Sequence, residues 1–429
     1  MSPVRWHQLK GLLVGAAAVL RALGFRHSPA EHLEKLSDSQ WLEALEFCGR
    51  SGLTLLLASR RRENLPEFVR RRTESNFKAN GRRVTKLKQE YFQIAARLRS
   101  LGIDHVLLKG FLQAPHFVPS PLLRAQYDLD LLCSPADIPR AHQALLKLGF
   151  ESMSGNDRVR ADHLPPMASK TGWLWKGDYF NSEIPPVVEL HFRLWDPATE
   201  RFQVDGIEQF PTRCVPRLLD GQPVPGFCDA DQLGYAALHV LRHLLRGDLK
   251  ACHVYELAFF MENRRHDDAF WRRRTELHSP ALRSFQAAPL ILAQRWFGSI
   301  LPEAVKAEAE KLPKAVNQWL QHYAAAPVLS RFQPNKDELW LHLALLSRNK
   351  NKASVLWRRL LPLSPPGQVE AVFVPEQKMT YQLGLLKRIR YVRFVLSRVL
   401  FHARGLASIH GGAFRWRRLK KGDPGADLD

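Results

Sequence analysis

Hydrophobic positions along the chain change their period twice. From Pro66 to Leu101 they recur at helical spacing: Phe77, Val84, Leu87, Tyr91, Ile94, Leu98 and Leu101 stand seven, three, four, three, four and three residues apart. That seam predicts one long helix, weakened by about 1 kcal/mol where Gly81 interrupts it. Upstream, Leu12 to Leu23, Ser39 to Leu45 and Leu53 to Ala58 read as short helices whose apolar stripes must be buried, and nothing in them suggests chemistry. Gly102 closes the long helix as a C-cap, and the period then falls to two. Ile103 to Leu108, Asp128 to Leu132, Phe150 to Met153 and the run from Val187 to Leu194 read as strands. A helix capped at Ser134 separates the second strand from the third; it buries Ile138, Ala141, Leu145 and Leu148 and stops at Gly149.

Residues 154 to 184 are long for a connection and form either a hairpin or a lid, with Trp173 and Trp175 available to stack on a base or to fill a core edge. After a proline-broken linker from Pro211 to Pro225 the helical period returns. Leu233 to Leu245, capped at Asp229 or Asp231, is followed by His253 to Glu262 and by helices broken at Pro280, Pro302, Pro313, Pro327 and Pro334. The chain is thus expected to be α+β, a small mixed sheet over 102–210 flanked by an N-terminal helical region over 1–101 and a helical domain over 229–361. A basic helical segment over 370–421 and a disordered tail over 422–429 complete it.

Charge sharpens this picture. Lys and Arg number 63 against 42 Asp and Glu, a net charge of +21, which favours contact with something anionic: nucleic acid, nucleotide, phospholipid or a phosphorylated substrate. Eleven of the basic residues fall between Tyr381 and Lys421, where no acid occurs. Leu385, Ile389, Val392, Leu396 and Val399 form an apolar stripe there, suited to an anionic membrane surface, to RNA or to packing on the protein; Phe394 and Phe401 on the opposite side favour packing. The five cysteines are scattered and never form a C-x-x-C pair, which suits a reducing compartment and argues against disulfides or a structural zinc site. No apolar run approaches the roughly 20 residues of a membrane span. The stretch from Leu12 to Leu20 continues past Arg21 to Phe25 as an amphipathic helix would, so a cytoplasmic protein is expected.

The chemistry gathers on the strands. Asp128 and Asp130 alternate with Leu129 and Leu131 and therefore point to one face, where their repulsion calls for a cation. If the strand carrying Glu189 lies beside them, three carboxylates can hold two Mg²⁺ ions; the alternative is that D-x-D and E-x-H are solvated edge positions. A glycine at 110 would let backbone N–H groups approach a phosphate, with the dipole of a following helix behind them, and Lys109 reads either as a point charge on the β- or γ-phosphate or as an ordinary surface lysine at a strand end. Arg124 either contacts a substrate phosphate or pins a carboxylate. His191 shares the Glu189 face and reads as structural, as do His239 and His243, a pair four residues apart with no further ligand in view. Arg242 and Arg246 are candidates to line a nucleotide cleft.

The ordered set Leu107-Leu108-Lys109-Gly110, Arg124, Asp128-Leu129-Asp130-Leu131-Leu132 and Glu189-Leu190-His191 resembles bacterial nucleotidyltransferase-like proteins related to DNA polymerase β, in a little-characterised branch where an LLKG motif replaces the usual glycine-serine. The likeness is best over residues 84 to 195. It implies a polymerase β-like nucleotidyltransferase core that moves an NMP from an NTP to an unknown hydroxyl-bearing acceptor, with two Mg²⁺ or Mn²⁺ ions on Asp128, Asp130 and Glu189. It also implies that Lys109, Gly110 and Arg124 bind the nucleotide and that Glu256 is an acid near the site. Phe111 stands where the wider superfamily has a serine, which removes a hydroxyl contact to phosphate. The alternatives are a catalytically inactive module of the same fold that binds RNA, an anionic membrane or a partner protein, and a phosphohydrolase built on the same acids.

Overall fold

The fold is known from a computed structural model that describes residues 1–26, 31–153, 162–169, 171, 173–174, 177–333, 335–360, 372–373 and 381–421. Trp175, the break at Pro334, the start of the segment at 370 and the tail over 422–429 fall outside the described residues, as does much of the lid reading of 154–184. The N-terminal stripes fold as α1 (Val14–Ala22), α2 (Asp38–Ser51) and α3 (Thr54–Arg61). Ser37 and Gln40 cap α2 reciprocally, satisfying two of its orphan donors. The long seam becomes α4 (Glu67–Ser100), which buries Val84, Leu87, Tyr91, Ile94 and Leu98.

The chain then enters a five-stranded sheet of strands β1 (His105–Leu107), β2 (Asp128–Cys133), β3 (Phe150–Ser152), β4 (Met167–Ser169) and β5 (Val187–His191). Their order across the sheet is β1-β2-β5-β4-β3, with β2 and β5 parallel and the other pairs antiparallel. Of the two readings of 154–184, pairing of β3 with β4 matches the hairpin. Helix α5 (Ile138–Lys147) covers one face with Ile138, Ala141 and Leu145, while Leu148, expected beside them, is exposed. Alternation then does what a period of two demands. Leu129, Leu131, Val188 and Leu190 pack with α4 and α5 in one core, which leaves Asp128, Asp130, Glu189 and His191 to the opposite face.

The expected linker is instead a hairpin, β6 (Cys214–Leu219) with β7 (Gln222–Phe227). Its turn is Asp220-Gly221, both at positive φ (50° and 79°), the conformation that Asp-Gly supplies at low cost. Pro216, Pro223 and Pro225 do not break it, because a two-stranded ribbon has a free edge for residues without an N–H.

Beyond the hairpin the chain is mainly helical: α6 (Asp229–Arg246), α7 (Ala251–Asn263), α8 (Asp268–Leu277), α9 (Pro280–Phe297), α10 (Glu303–Glu310), α11 (Lys314–His322), α12 (Glu338–Leu345), a further helix over Asn349–Leu360 and, last among the described residues, α13 (Tyr381–Lys421). Helices α1 to α3 share one hydrophobic core with α6 to α12, so the two ends of the chain close around each other; the Trp6 indole donates to the Trp296 carbonyl. The five cysteines are unpaired. Among the described residues no helix is long and apolar enough to cross a membrane.

Two buried polar clusters lock the helical layer. The Arg274 guanidinium, fully buried, donates to Gln286 Oε1 and to both oxygens of Glu308, joining α8, α9 and α10. Asp231 accepts from Arg213 at 2.8 and 2.9 Å and faces His278 Nε2 at 2.9 Å. Truncating Glu308→Ala strands the guanidinium, so unfolding in urea is expected to show a loss of about 3–5 kcal/mol. Asp231 is acid-sensitive for a related reason: burial alone would raise its pKa, but the bonds from His278 and Arg213 hold it below the ordinary value. Its contribution is therefore complete above pH 3.8 and disappears as the pH falls from there through the lowered folded value. Melting temperatures of the wild type and Asp231→Asn should converge over that acid range.

Candidate functional site

The parallel register of β2 and β5 sets Asp130 directly beside Glu189, with Asp128 opposite Val187 and Leu132 opposite His191. The sequence-predicted acids thus come from two neighbouring strands and share one face. Asp130 is 2% exposed, whereas Asp128 and Glu189 at the strand's mouth are half-buried. His191 Nε2 sits between the two acids, 3.2 Å from Asp130 Oδ1 and 3.5 Å from Glu189 Oε2. Its Nδ1 is buried and has no hydrogen-bond partner among the described residues, so the ring's polar commitment is to the acids. Burial lowers the His191 pKa, but bonding to Asp130 and Glu189 outweighs it and holds the ring above its ordinary value. Glu189 responds in the opposite sense: burial would raise it, and His191 brings it down to about 2.

Lys109 supplies the second cation. Its Nζ lies 3.2 Å from Asp130 Oδ2 and 3.9 Å from Asp128 Oδ2. Burial would lower its pKa; Asp130 and then Asp128 raise it above the usual lysine value. The residue read as a phosphate ligand is engaged by the acids instead, because a lysine reaching from the end of β1 meets two carboxylates across the β1–β2 pair. Gly110 adopts φ +79°, and a Cβ there would collide with the Gln126 side chain, itself bonded to the Asp128 carbonyl at 2.7 Å. Gly110 opens a four-residue 3-10 turn, Gly110–Gln113, too short for the helix dipole expected there. Phe111, in place of a serine, packs edge-on against Tyr91 in the core.

Arg124 takes the carboxylate-pinning alternative. Its Nε donates to Glu256 Oε1 at 2.8 Å, both side chains nearly buried, and this pair ties the approach to β2 to helix α7. Glu256 is accordingly near the site, through Arg124. Arg242 donates to Asp162 at 2.5 Å and Arg246 pairs with Glu200 and Asp196, so both candidates for lining a cleft are committed inside the protein. Trp173 lies in a two-residue ladder with Phe373.

Sequence reasoning missed three contributors. His163 forms a backbone bridge to His191 and its ring lies 4.9 Å away; Asp162-His163 was visible, but only the fold carries it to β5. Tyr235 on α6 helps line a small cavity beside Lys109 and Arg124. His253 joins His239 and His243, with ring centroids 4.4, 4.9 and 5.8 Å apart, and no local pattern links it to them. The nitrogens of these three do not converge. Among the described residues, the group whose ligand atoms lie within 4.8 Å of one another is Asp130, Glu189 and His191. Two hard carboxylates with an imidazole, and Asp128 alongside, fit a divalent cation.

A family model described as an uncharacterised nucleotidyltransferase matches residues 37–298, from α2 through α9, and so spans the sheet, the acids and the helices over them. No curated protein and no solved structure matches.

Because Lys109 already neutralises the acids, a metal must displace it. Lys109→Met is expected to tighten Mn²⁺ binding without nucleotide by at least about tenfold, roughly a third of the energy that one ion pair carries at moderate dielectric. Electron paramagnetic resonance of free Mn²⁺ reads this directly, with circular dichroism checking that the variant is folded. Unchanged or weaker binding would show that the lysine does not compete.

Proposed function

The chain belongs to the uncharacterised nucleotidyltransferase family, and on that premise we propose that it is a divalent-metal-dependent transferase moving a nucleoside monophosphate from a nucleoside triphosphate to a hydroxyl-bearing acceptor. The observation that carries this reading is the side-by-side register of Asp130 and Glu189 with Asp128 on the same face. Asp128, Asp130 and Glu189 would together hold the divalent ions, Mg²⁺ or Mn²⁺. When bound, such ions neutralise phosphate charge and lower the pKa of the attacking hydroxyl. The acceptor oxygen bonds the α-phosphorus as that phosphorus parts from its bridging oxygen, and pyrophosphate leaves.

Each of the chain's own groups has a part. His191 fixes the Asp130 carboxylate from within the sheet and keeps Glu189 ionised, so that Glu189 favours loss of the hydroxyl proton. Lys109, which the carboxylates hold, would be free to meet the terminal phosphates if other cations took its place. Gly110, lacking a side chain, leaves the backbone of its turn open to the triphosphate, while Gln126 fills the space behind it. Arg124, held by Glu256, steadies the segment that enters β2 and contributes its field to Asp128.

A second reading, a binding module that keeps the fold without catalysis, is favoured by one observation: Lys109 and Arg124, the two cations assigned to phosphate, are both engaged by carboxylates. The two readings part in a single set of experiments. Transfer predicts that Mg²⁺ with an NTP raises the melting temperature, and that labelled NTP supplied with cell lysate marks an acceptor with release of pyrophosphate. Asp128→Asn and Asp130→Asn should each lower that turnover by at least about a thousandfold, the scale of losing a charge-stabilising group. Metal-dependent turnover undiminished in both variants sinks the assignment. Free phosphate in place of pyrophosphate would mark a hydrolase, and no shift with nucleotide would mark the binding module.

A further inference from the structure

Helix α13 (Tyr381–Lys421) divides into an anchored half and a bare half. The anchored half packs on the body. Trp416 is buried and stacks on Trp340 at 6.4 Å while meeting Tyr323 edge-on, and Gln318 donates to the Leu419 carbonyl at 2.7 Å. Small residues make this contact possible: a side chain on Gly405 would meet Lys336 at 2.9 Å, and one on Gly412 would meet Trp340 at 3.3 Å. From 381 to 404, by contrast, every described side chain is exposed or half-buried. Among the described residues none of these side chains is buried as those of the anchored half are. Leu385, Ile389, Val392, Leu396 and Val399, at spacings of four, three, four and three, are between 47% and 58% exposed, a continuous stripe along roughly 21 Å of helix.

We propose that this bare half of α13 docks on an anionic lipid bilayer surface. A stripe of large aliphatic side chains is costly to leave in water and marks an interaction face. The charge around it selects the occupant. Arg388, Arg390, Arg393 and Arg404 are exposed beside the stripe, and the sequence from 381 to 421 holds eleven Lys and Arg with no acid, so a second copy of the same helix would be repelled. RNA would satisfy the arginines but offer nothing to leucine, isoleucine and valine. An acidic partner helix would cover one narrow seam, yet Leu386, Phe394 and Val395 lie outside that seam and are also only half-buried. A bilayer interface accommodates a wider apolar arc and lets long arginine side chains reach the headgroups. Anionic headgroups then add attraction at each basic residue, within a Debye length of the surface. The helix lies outside the span that matches the family, so the surface is a property of this segment and not of the site on the sheet.

Co-sedimentation of the full chain with vesicles tests this. One set is phosphatidylcholine alone and the other contains phosphatidylglycerol at about a third of the lipid, compared at about 0.1 M and about 0.5 M salt. The bound fraction on anionic vesicles should fall at least fivefold at high salt, and should fall at least tenfold in a Leu385→Gln, Val392→Gln, Leu396→Gln triple variant whose melting temperature is unchanged. An Arg388→Gln, Arg390→Gln, Arg393→Gln variant should lose the preference for anionic lipid. Equal binding to both vesicle types, or none to either, overturns the proposal. So does a dimer in solution that the triple variant abolishes, or binding to poly-glutamate or RNA that ignores the aliphatic residues. The triple variant should retain whatever nucleotide-dependent activity the wild type has, since none of its positions belongs to the site on the sheet.

Discussion

Carboxylates that share a buried strand face must be neutralised, and most of what is distinctive here follows from how that is done. The parallel pairing of β2 with β5 puts Asp130 against Glu189 and leaves Asp128 two residues away on the same face. An isolated buried carboxylate is prohibitively costly, so such a triad persists only with cations supplied to it. Lys109 arrives from the end of β1 and His191 from β5 itself. The three strands at this end of the sheet therefore contribute either an acid or its counter-charge, and the sheet's opposite face remains apolar against α4 and α5. The same arrangement makes the site responsive. A lysine held by two carboxylates is a poor phosphate ligand until those carboxylates find another cation, so on the proposed function metal and nucleotide would assist one another's binding.

The alternation that defines this face was legible in the chain itself, because a period of two is local. Asp128 with Asp130, and Glu189 with His191, could be assigned to shared faces without any tertiary information. That β2 and β5 are neighbours was a supposition, and the register of one strand against the other depends on the crossover through α5, β3 and β4. The long helix was equally legible from its apolar seam. The hairpin of β6 and β7 was lost for a physical reason: its prolines suggest a broken linker, and they outweighed Asp220-Gly221, the turn that makes the ribbon. Pairings across elements were the hardest to foresee. Arg124 could have served a phosphate or an acid, and only the approach of α7 brings Glu256 within 2.8 Å. Likewise His163 and His253 carry no pattern that announces their company.

The helical layer is more than a lid. Arg124 with Glu256 and Arg242 with Asp162 run from the sheet side of the molecule to α7 and α6, so the acid-bearing face is clamped by two nearly buried ion pairs. Removing one partner from such a pair costs far more than the pair contributes. This favours a fixed geometry around the carboxylates, with Arg274 and Asp231 performing the same office deeper among the helices.

The closing of the chain's two ends around one core has a consequence for biosynthesis. The contact between Trp6 and Trp296 spans 290 positions, and the stripes of α1 to α3 find their partners only in α6 and beyond. At typical elongation speeds of about 5–20 residues per second, the first helices emerge from the ribosome tens of seconds before anything can cover them. Nascent chains of this protein should therefore lean on chaperones early, and slow codons placed before the sheet would lengthen that exposed interval with no gain in folding.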